Sequence, residues 1–188
     1  MPVKVATPTI TTPNIAEKAP GKYAIFLQSG GWQLIAESPS GGCSAHEFRV
    51  PVDTPYKESI RQVIAGTFEQ VEYVDTALSA EELVSGGYAG QVTIIQSGAD
   101  ADFYMQARFL SSYLVTSEVR VNTVTAINLV GDAQMQFASA AHGKSDAELY
   151  MDCTAIGDIV GRAAQDAIQK LVNSMATQLQ AAVLMPQS

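Results

Sequence analysis

DCTAIGDIVGRAAQDAIQKLVNSMATQLQAAV, residues 152–183, decides how this chain folds. Apolar side chains recur at Ile156, Ile159, Val160, Ala163, Ala167, Ile168, Leu171, Val172, Met175 and Leu179. The steps are mostly threes and fours, the spacing that lines one face of an α-helix. The opposite face carries Asp158, Arg162, Gln165, Asp166, Gln169, Lys170, Asn173 and Gln178. So long a stripe needs a broad apolar surface to lie on, and the segments upstream offer a sheet.

Glu118 to Val130 alternates, with Val119, Val121, Thr123, Thr125, Ile127 and Leu129 on one face. Ala133 to Ala141 alternates again through Met135, Phe137, Ser139 and Ala141. With Gly131-Asp132 between them, they predict a long hairpin closed by a tight turn. Ser97 to Ser117 holds Phe103, Tyr104, Met105, Phe109, Leu110, Tyr113 and Leu114 without a clean period. Gln91 to Gln96 is nearly continuous apolar sequence, the mark of a strand covered on both faces. Ser79 followed by Glu82 has the pattern of a capped helical turn. Thr54-Pro55 opens a helix, with Thr54 as cap and Pro55 in its first position. The core face of that helix is Ile60, Val63, Ile64, Phe68 and Val71.

Ala45 to Val52 predicts a strand. Tyr23 to Leu27 and Gln33 to Ala36 predict two more, joined by a glycine turn at Gly30-Gly31. Residues 1–20 hold Pro2, Pro8, Pro13 and Pro20 among β-branched residues. Such a segment favours an extended arm and cannot pair fully inside a sheet. Strands outnumber helices and hairpins connect them. The expectation is an α+β two-layer sandwich: a mostly antiparallel sheet, two helices on one face, and Thr, Gln and Ser on the exposed face. Residues 1–20 form the arm, 21–184 a single domain and 185–188 a flexible tail.

The chain has 188 residues, enough to bury a sizeable core without metal. Its net charge is -8 with only 16% charged residues, and its eleven Lys and Arg are scattered. That excludes nucleic acid, whose phosphates require clustered cations, and gives no polybasic run for anionic lipid. No stretch is apolar for long enough to span a membrane. The N-terminus lacks the apolar region of a signal peptide, so the chain reads either as cytoplasmic or as a mature segment whose leader is gone.

No constellation rises to an enzyme signature, and no cofactor is expected. Cys43 and Cys153 are either one disulfide or two separate buried thiols. Cys43, His46, His142 and Cys153 lack the spacing of a metal site, and no local signature makes Cys43 a nucleophile. Glu69, Glu72, Glu81, Glu82, Asp100 and Asp102 read as solvated charge. The Gly30-Gly31, Gly41-Gly42 and Gly86-Gly87 pairs read as turns, because no Lys-Ser/Thr follows them. Tyr104, Phe109 and Tyr113 read first as core or edge packing, with an aromatic patch for a ligand or partner as the alternative.

The layout resembles small periplasmic and outer-membrane lipoproteins of Gram-negative bacteria, including the transport-auxiliary type. The resemblance rests on the arm from Thr7-Pro8 to Pro20, on Val50-Pro51-Val52-Asp53 before a helix, and on a long hairpin followed by a C-terminal amphipathic helix. It is a similarity of layout over residues 20–182, without a lipidated cysteine. It implies a Cys43–Cys153 disulfide, a periplasmic location with an outer-membrane anchor in the precursor, and a non-enzymatic role in binding or assembly. The implied partner is an envelope protein, transport machinery or further copies of the chain. Phe103, Tyr104, Phe109 and Tyr113 are the expected contact residues. The alternative is a small-molecule or lipid module with a pocket between helix and sheet, lined by Tyr104, Phe109 and Met135.

Overall fold

The structure is a computed structural model that describes residues 2–15, 17–28, 32, 34–37, 43, 46–108, 112–131, 134–150 and 153–184. The elements in order are β1 (Pro2–Lys4), β2 (Ala19–Gln28), β3 (Leu34–Glu37), β4 (Glu47–Val50), α1 (Asp53–Thr67), β5 (Phe68–Val74), α2 (Ala80–Ser85), β6 (Gly90–Ala107), β7 (Tyr113–Leu129), β8 (Met135–Leu149) and α3 (Ile156–Leu184).

β6 is the spine of the sheet. On one edge it pairs antiparallel with β7 along its whole length, and β7 pairs antiparallel with β8. Its other edge is shared. β2 lies parallel against residues 90–95, and β3 lies parallel against Ala101 and Asp102. Beyond β2 comes β5, parallel; beyond β3 come β4, antiparallel, and β1, parallel to β4.

This corrects the expected sandwich. The sheet is mixed and curls into a half-barrel around α3, with three helices rather than two. Two local misreadings account for the difference. The helix after Thr54 stops at Thr67, and Phe68–Val74 is an edge strand. Its least exposed residues, Phe68, Val71 and Val74, fall three apart and mimic helical spacing. The chain therefore crosses over through α1 and returns parallel to β2. In addition, β2 and β3 are not a hairpin: they run in the same direction, one after the other, along β6. The glycines between them, at 30 and 31, lie outside the described residues.

α1 begins without a side-chain cap at Val52 rather than with Thr54 as cap; Asp53 in its first turn faces the helix dipole and pairs with Lys57 at 2.5 Å. α2 has the full capping box, Ser79 and Glu82 bonding each other's backbone amides. α1 and α3 share one face of the sheet. α3 buries Ile156, Ile159, Val160, Ala163, Ala164, Ala167, Ile168, Leu171, Val172, Met175 and Leu179 there. Below it lie Val92, Ile94, Ala101 and Phe103 of β6, Val119, Val121 and Ile127 of β7, and Phe48 and Val50 of β4. Each such large side chain contributes about 1.5–3 kcal/mol on burial.

The small residues of α3 have a steric cause. At Gly143 the helix backbone touches β8. A Cβ there would sit on the Ala163 carbonyl oxygen and 2.5 Å from the Ala167 amide nitrogen.

The arm crosses the outside of the helix layer. Val5 is buried, and a Cβ on Gly161 would meet its side chain at 2.9 Å. Ile15 lies over Gly66 of α1. Gln169 of α3 bonds both the amide and the carbonyl of Thr11, at 2.8 and 2.5 Å. Cys43 and Cys153 form a disulfide, with Cα atoms 5.7 Å apart and 110 residues between them in sequence. It ties the turn before β4 to the chain entering α3.

Candidate functional site

Alternation along β6, β7 and β8 gives the hairpin layer two faces, and register fixes what each row presents. The outward face carries three rows of charge and side-chain polarity: Asp100–Arg120–His142, Asp102–Glu118–Lys144 and Tyr104–Thr116–Asp146. Arg120 is the hub. Its guanidinium reaches Asp100 at 3.1 Å, Glu118 at 3.4 Å and Asp102 at 3.6 Å. The Asp100 carboxylate, first, and then Glu118 and Asp102 hold the guanidinium above its usual range. Glu118 also meets Lys144 at 3.5 Å and His142 at 3.6 Å.

Ion pairs this exposed add little to stability, because water and salt screen them. Held in register on a rigid sheet, they are better suited to steering and orienting a partner. Next to them lies one apolar row, Ile95, Val124 and Ala138; the next row is mixed, Thr93, Ala126 and Gln136, and Asn122 with Ala140 border the charges. Val124, Ala126 and Ile95 are half-buried, and Ala138 and Ala140 are exposed. Apolar side chains flanked on one side by charge occur in protein interfaces, whose centres are apolar and whose borders are polar.

The free edge of β8 is less suited to a partner. Lys170 of α3 donates to the His142 carbonyl at 3.1 Å, and the Lys144 amide donates to Asp166 at 3.4 Å. Charged side chains thus occupy the middle of the edge, which blocks an added strand.

The expected contact residues do not form one patch. Phe103 is fully buried, edge-to-face against Phe48 at 5.3 Å. Tyr104 points the other way, 49% exposed on the outward face. Tyr113 is half-buried on the inner face at the far end of β7, and Phe109 lies outside the described residues. Met135 pairs with Ile127 at the opposite end of the hairpin from Tyr104 and faces inward, so the two do not line a common pocket. The disulfide occupies both thiols of the cysteine pair. His46 sits beside Phe48 while His142 stands on the outward face of β8. Among the described residues no cluster of His, Cys, Asp or Glu could hold a metal. Glu72, expected on a helix, stands on β5 and pairs with Lys22 at 2.6 Å; that hydrogen bond holds its carboxyl below the usual range.

A second set of polar residues is inward. Thr123 and Thr125 share the face of Val119, Val121 and Ile127, as their alternation gave, and with Ser139 they lie buried under α3, in the row Gln96–Thr123–Ser139 and beside it, so the Thr and Ser residues expected on the exposed face are in part interior. The Tyr56 hydroxyl of α1 comes within 3.4 Å of Thr123, and Ser139 donates to Gln178 at 2.7 Å. Burial pushes the Tyr56 phenol up to about 12. Trp32 packs against Tyr56 with ring centres 4.5 Å apart and planes tilted by 35°. The signal that marks them as interior is their alternation with Val119, Val121 and Ile127; their polarity pointed the other way.

No family model and no curated protein matches this chain. Among solved structures, it is similar to protein XCC0632 of Xanthomonas campestris, of the family DUF330, with 12% identity, coverage of 97% of this chain and 99% of that one, and a TM-score of 0.41. It is also similar to a putative neuraminyllactose-binding hemagglutinin homolog of Helicobacter pylori, with 10% identity, 94% and 91% coverage and a TM-score of 0.47. A third similarity is to a dodecameric PelC variant of Paraburkholderia phytofirmans, with 12% identity, 85% and 94% coverage and a TM-score of 0.26. Among the described residues, no helix is long and apolar enough to cross a membrane.

Proposed function

We propose that this is a non-enzymatic cell-envelope protein that works by holding a protein partner on the outward face of β6, β7 and β8. The observation that carries the proposal is the Cys43–Cys153 disulfide. Such bridges form and persist in oxidising compartments, which here means the periplasm. An anchor at the outer membrane, preceding the Pro/Thr-rich arm, belongs to the same proposal. The partner face is supported by the apolar row Ile95–Val124–Ala138 beside the Arg120 ladder and by charged side chains that blunt the neighbouring β8 edge.

The test is a photoreactive residue introduced at Tyr104, at Ala138 and, as a control on the helix surface, at Gln165, in cells of the native host. A discrete cross-linked species is expected from Tyr104 and Ala138 and not from Gln165, and Arg120→Glu should weaken it. Equal background at all three positions, or free thiols in protein taken from its native compartment, would remove the proposal.

A further inference from the structure

β5 ends the sheet on the β2 side. It pairs with β2, and among the described residues no strand pairs with its other edge. The other outer edges are protected. β1 is three residues long and starts at Pro2, and α3 side chains bond the middle of β8. β5, by contrast, is FEQVEYV, seven residues with neither proline nor glycine.

Its side chains divide between two faces. Val71 packs against the core, and the Tyr73 ring lies 5.8 Å from the Arg61 guanidinium of α1, so both face the helices. Glu69 shares their side by alternation. Gln70 and Glu72 face the other way, where Glu72 pairs with Lys22 of β2. Tyr73 is 45% exposed although it lies on the covered face, because β5 is the last strand on that side.

The order of charges along β5 selects what can pair with it. A second copy laid antiparallel about Val71 puts Val71 opposite itself, Gln70 opposite Glu72 and Glu69 opposite Tyr73. No two like charges are then directly opposed. Directly opposite side chains stand about 4.5–5.5 Å apart at Cβ, so the Arg61 that covers Tyr73 comes beside Glu69 of the other copy. Symmetry makes each of these contacts twice. The two Glu72 carboxylates approach on the diagonal, and each has its own Lys22 at 2.6 Å. Centring the pair on Glu69 or Glu72 would oppose each to itself. Val71 is the middle residue, so centring there also pairs the strand over its full length.

We infer that β5 pairs antiparallel with β5 of a second copy of this chain, joining two sheets into one across a two-fold axis at Val71. The contact does not use the outward face of β6, β7 and β8, and it stands whether or not that face holds a partner.

The full disulfide-bonded chain is followed by sedimentation velocity and by amide hydrogen exchange as its concentration rises. Seven residues a side is far short of the about 20–30 of a standard interface, so a weak dimer is expected, with a dissociation constant on the order of 10–100 μM. Amides of residues 69–73 should gain protection in step with dimer formation. Glu69→Arg and Arg61→Glu, both at exposed positions, should each weaken the dimer about tenfold, and the two together should restore it. A chain still monomeric at about 500 μM overturns the inference and leaves this edge to a strand of another protein. A dimer that leaves residues 69–73 unprotected, or that both single replacements leave unchanged, also overturns it, because the contact then lies on another surface. Exchange in the wild-type chain decides even if a variant does not fold.

Discussion

Replacing Gly143 by alanine adds one methyl group at the place where α3 rests on β8. The new carbon would overlap the Ala163 carbonyl oxygen and stand 2.5 Å from the Ala167 nitrogen and 2.9 Å from its Cβ. Two of these neighbours are helix backbone and cannot rotate away. Relief requires α3 to move off the sheet by about 1 Å along the seam that buries Ala163, Ala164, Ala167 and Ile168. Overpacking costs about 1–3 kcal/mol where side chains can adjust, and a rigid neighbour places this case at the upper end. Alanine recovers about 0.4–1 kcal/mol by restricting the unfolded chain. The net expectation is a loss of about 2–3 kcal/mol, or about 5–10 °C in melting temperature for a chain of this size.

Gly98→Ala is the matched control. It lies in β6, and its added carbon meets only the Asn122 side-chain nitrogen at 3.6 Å, an ordinary contact. Urea unfolding followed by circular dichroism measures both variants. If Gly143→Ala costs no more than Gly98→Ala, the close seating of α3 on β8 is wrong.

Three further outcomes are expected. Replacing Cys43 and Cys153 together by serine should lower stability by about 4–5 kcal/mol in the chain-entropy model, because the bridge spans 110 residues; a loss below about 1 kcal/mol in urea unfolding would show that the bridge does not constrain the unfolded chain as supposed. The folded Tyr56 phenol is raised to about 12 from an ordinary value of 10.0, so its contribution is whole below pH 10 and is lost as pH rises from 10 to 12, a fall of about 3 kcal/mol. Tyr56→Phe should therefore have a shallower alkaline limb than the wild type, and identical limbs would count against a buried phenol. Gln169→Leu removes both bonds to Thr11 and should cost about 1–2 kcal/mol while speeding proteolysis within residues 6–18; unchanged cleavage would mean that these bonds do not hold the arm.

Some of this molecule is written locally. The stripe from Ile156 to Leu179 makes α3 from its own spacing, and Val119 to Ile127 followed by Met135 to Ala141 makes a hairpin from alternation and a glycine at the turn. Ser79 and Glu82 make a cap because both partners lie within one helical turn. In these cases the residues that decide the structure are near neighbours in the chain.

The mixed sheet is different. Whether Phe68–Val74 continues a helix or joins β2 depends on a partner more than forty residues away, Ala19 to Phe26. Its three-residue spacing fits both states, though the Val and Tyr content and Gly66 before it lean towards a strand. The two cysteines allowed a bridge or two thiols until β4 and α3 brought their Cα atoms to 5.7 Å. Which face is covered was likewise undecided: alternation separates Thr123 from Val124, but only α3 lying over Thr123 makes one interior and leaves the other, beside Ile95 and Ala138, on the outward side. Periodicity is a property of a segment and can be read from it; coverage is a property of what packs against the segment, and that is set by contacts between residues distant in sequence.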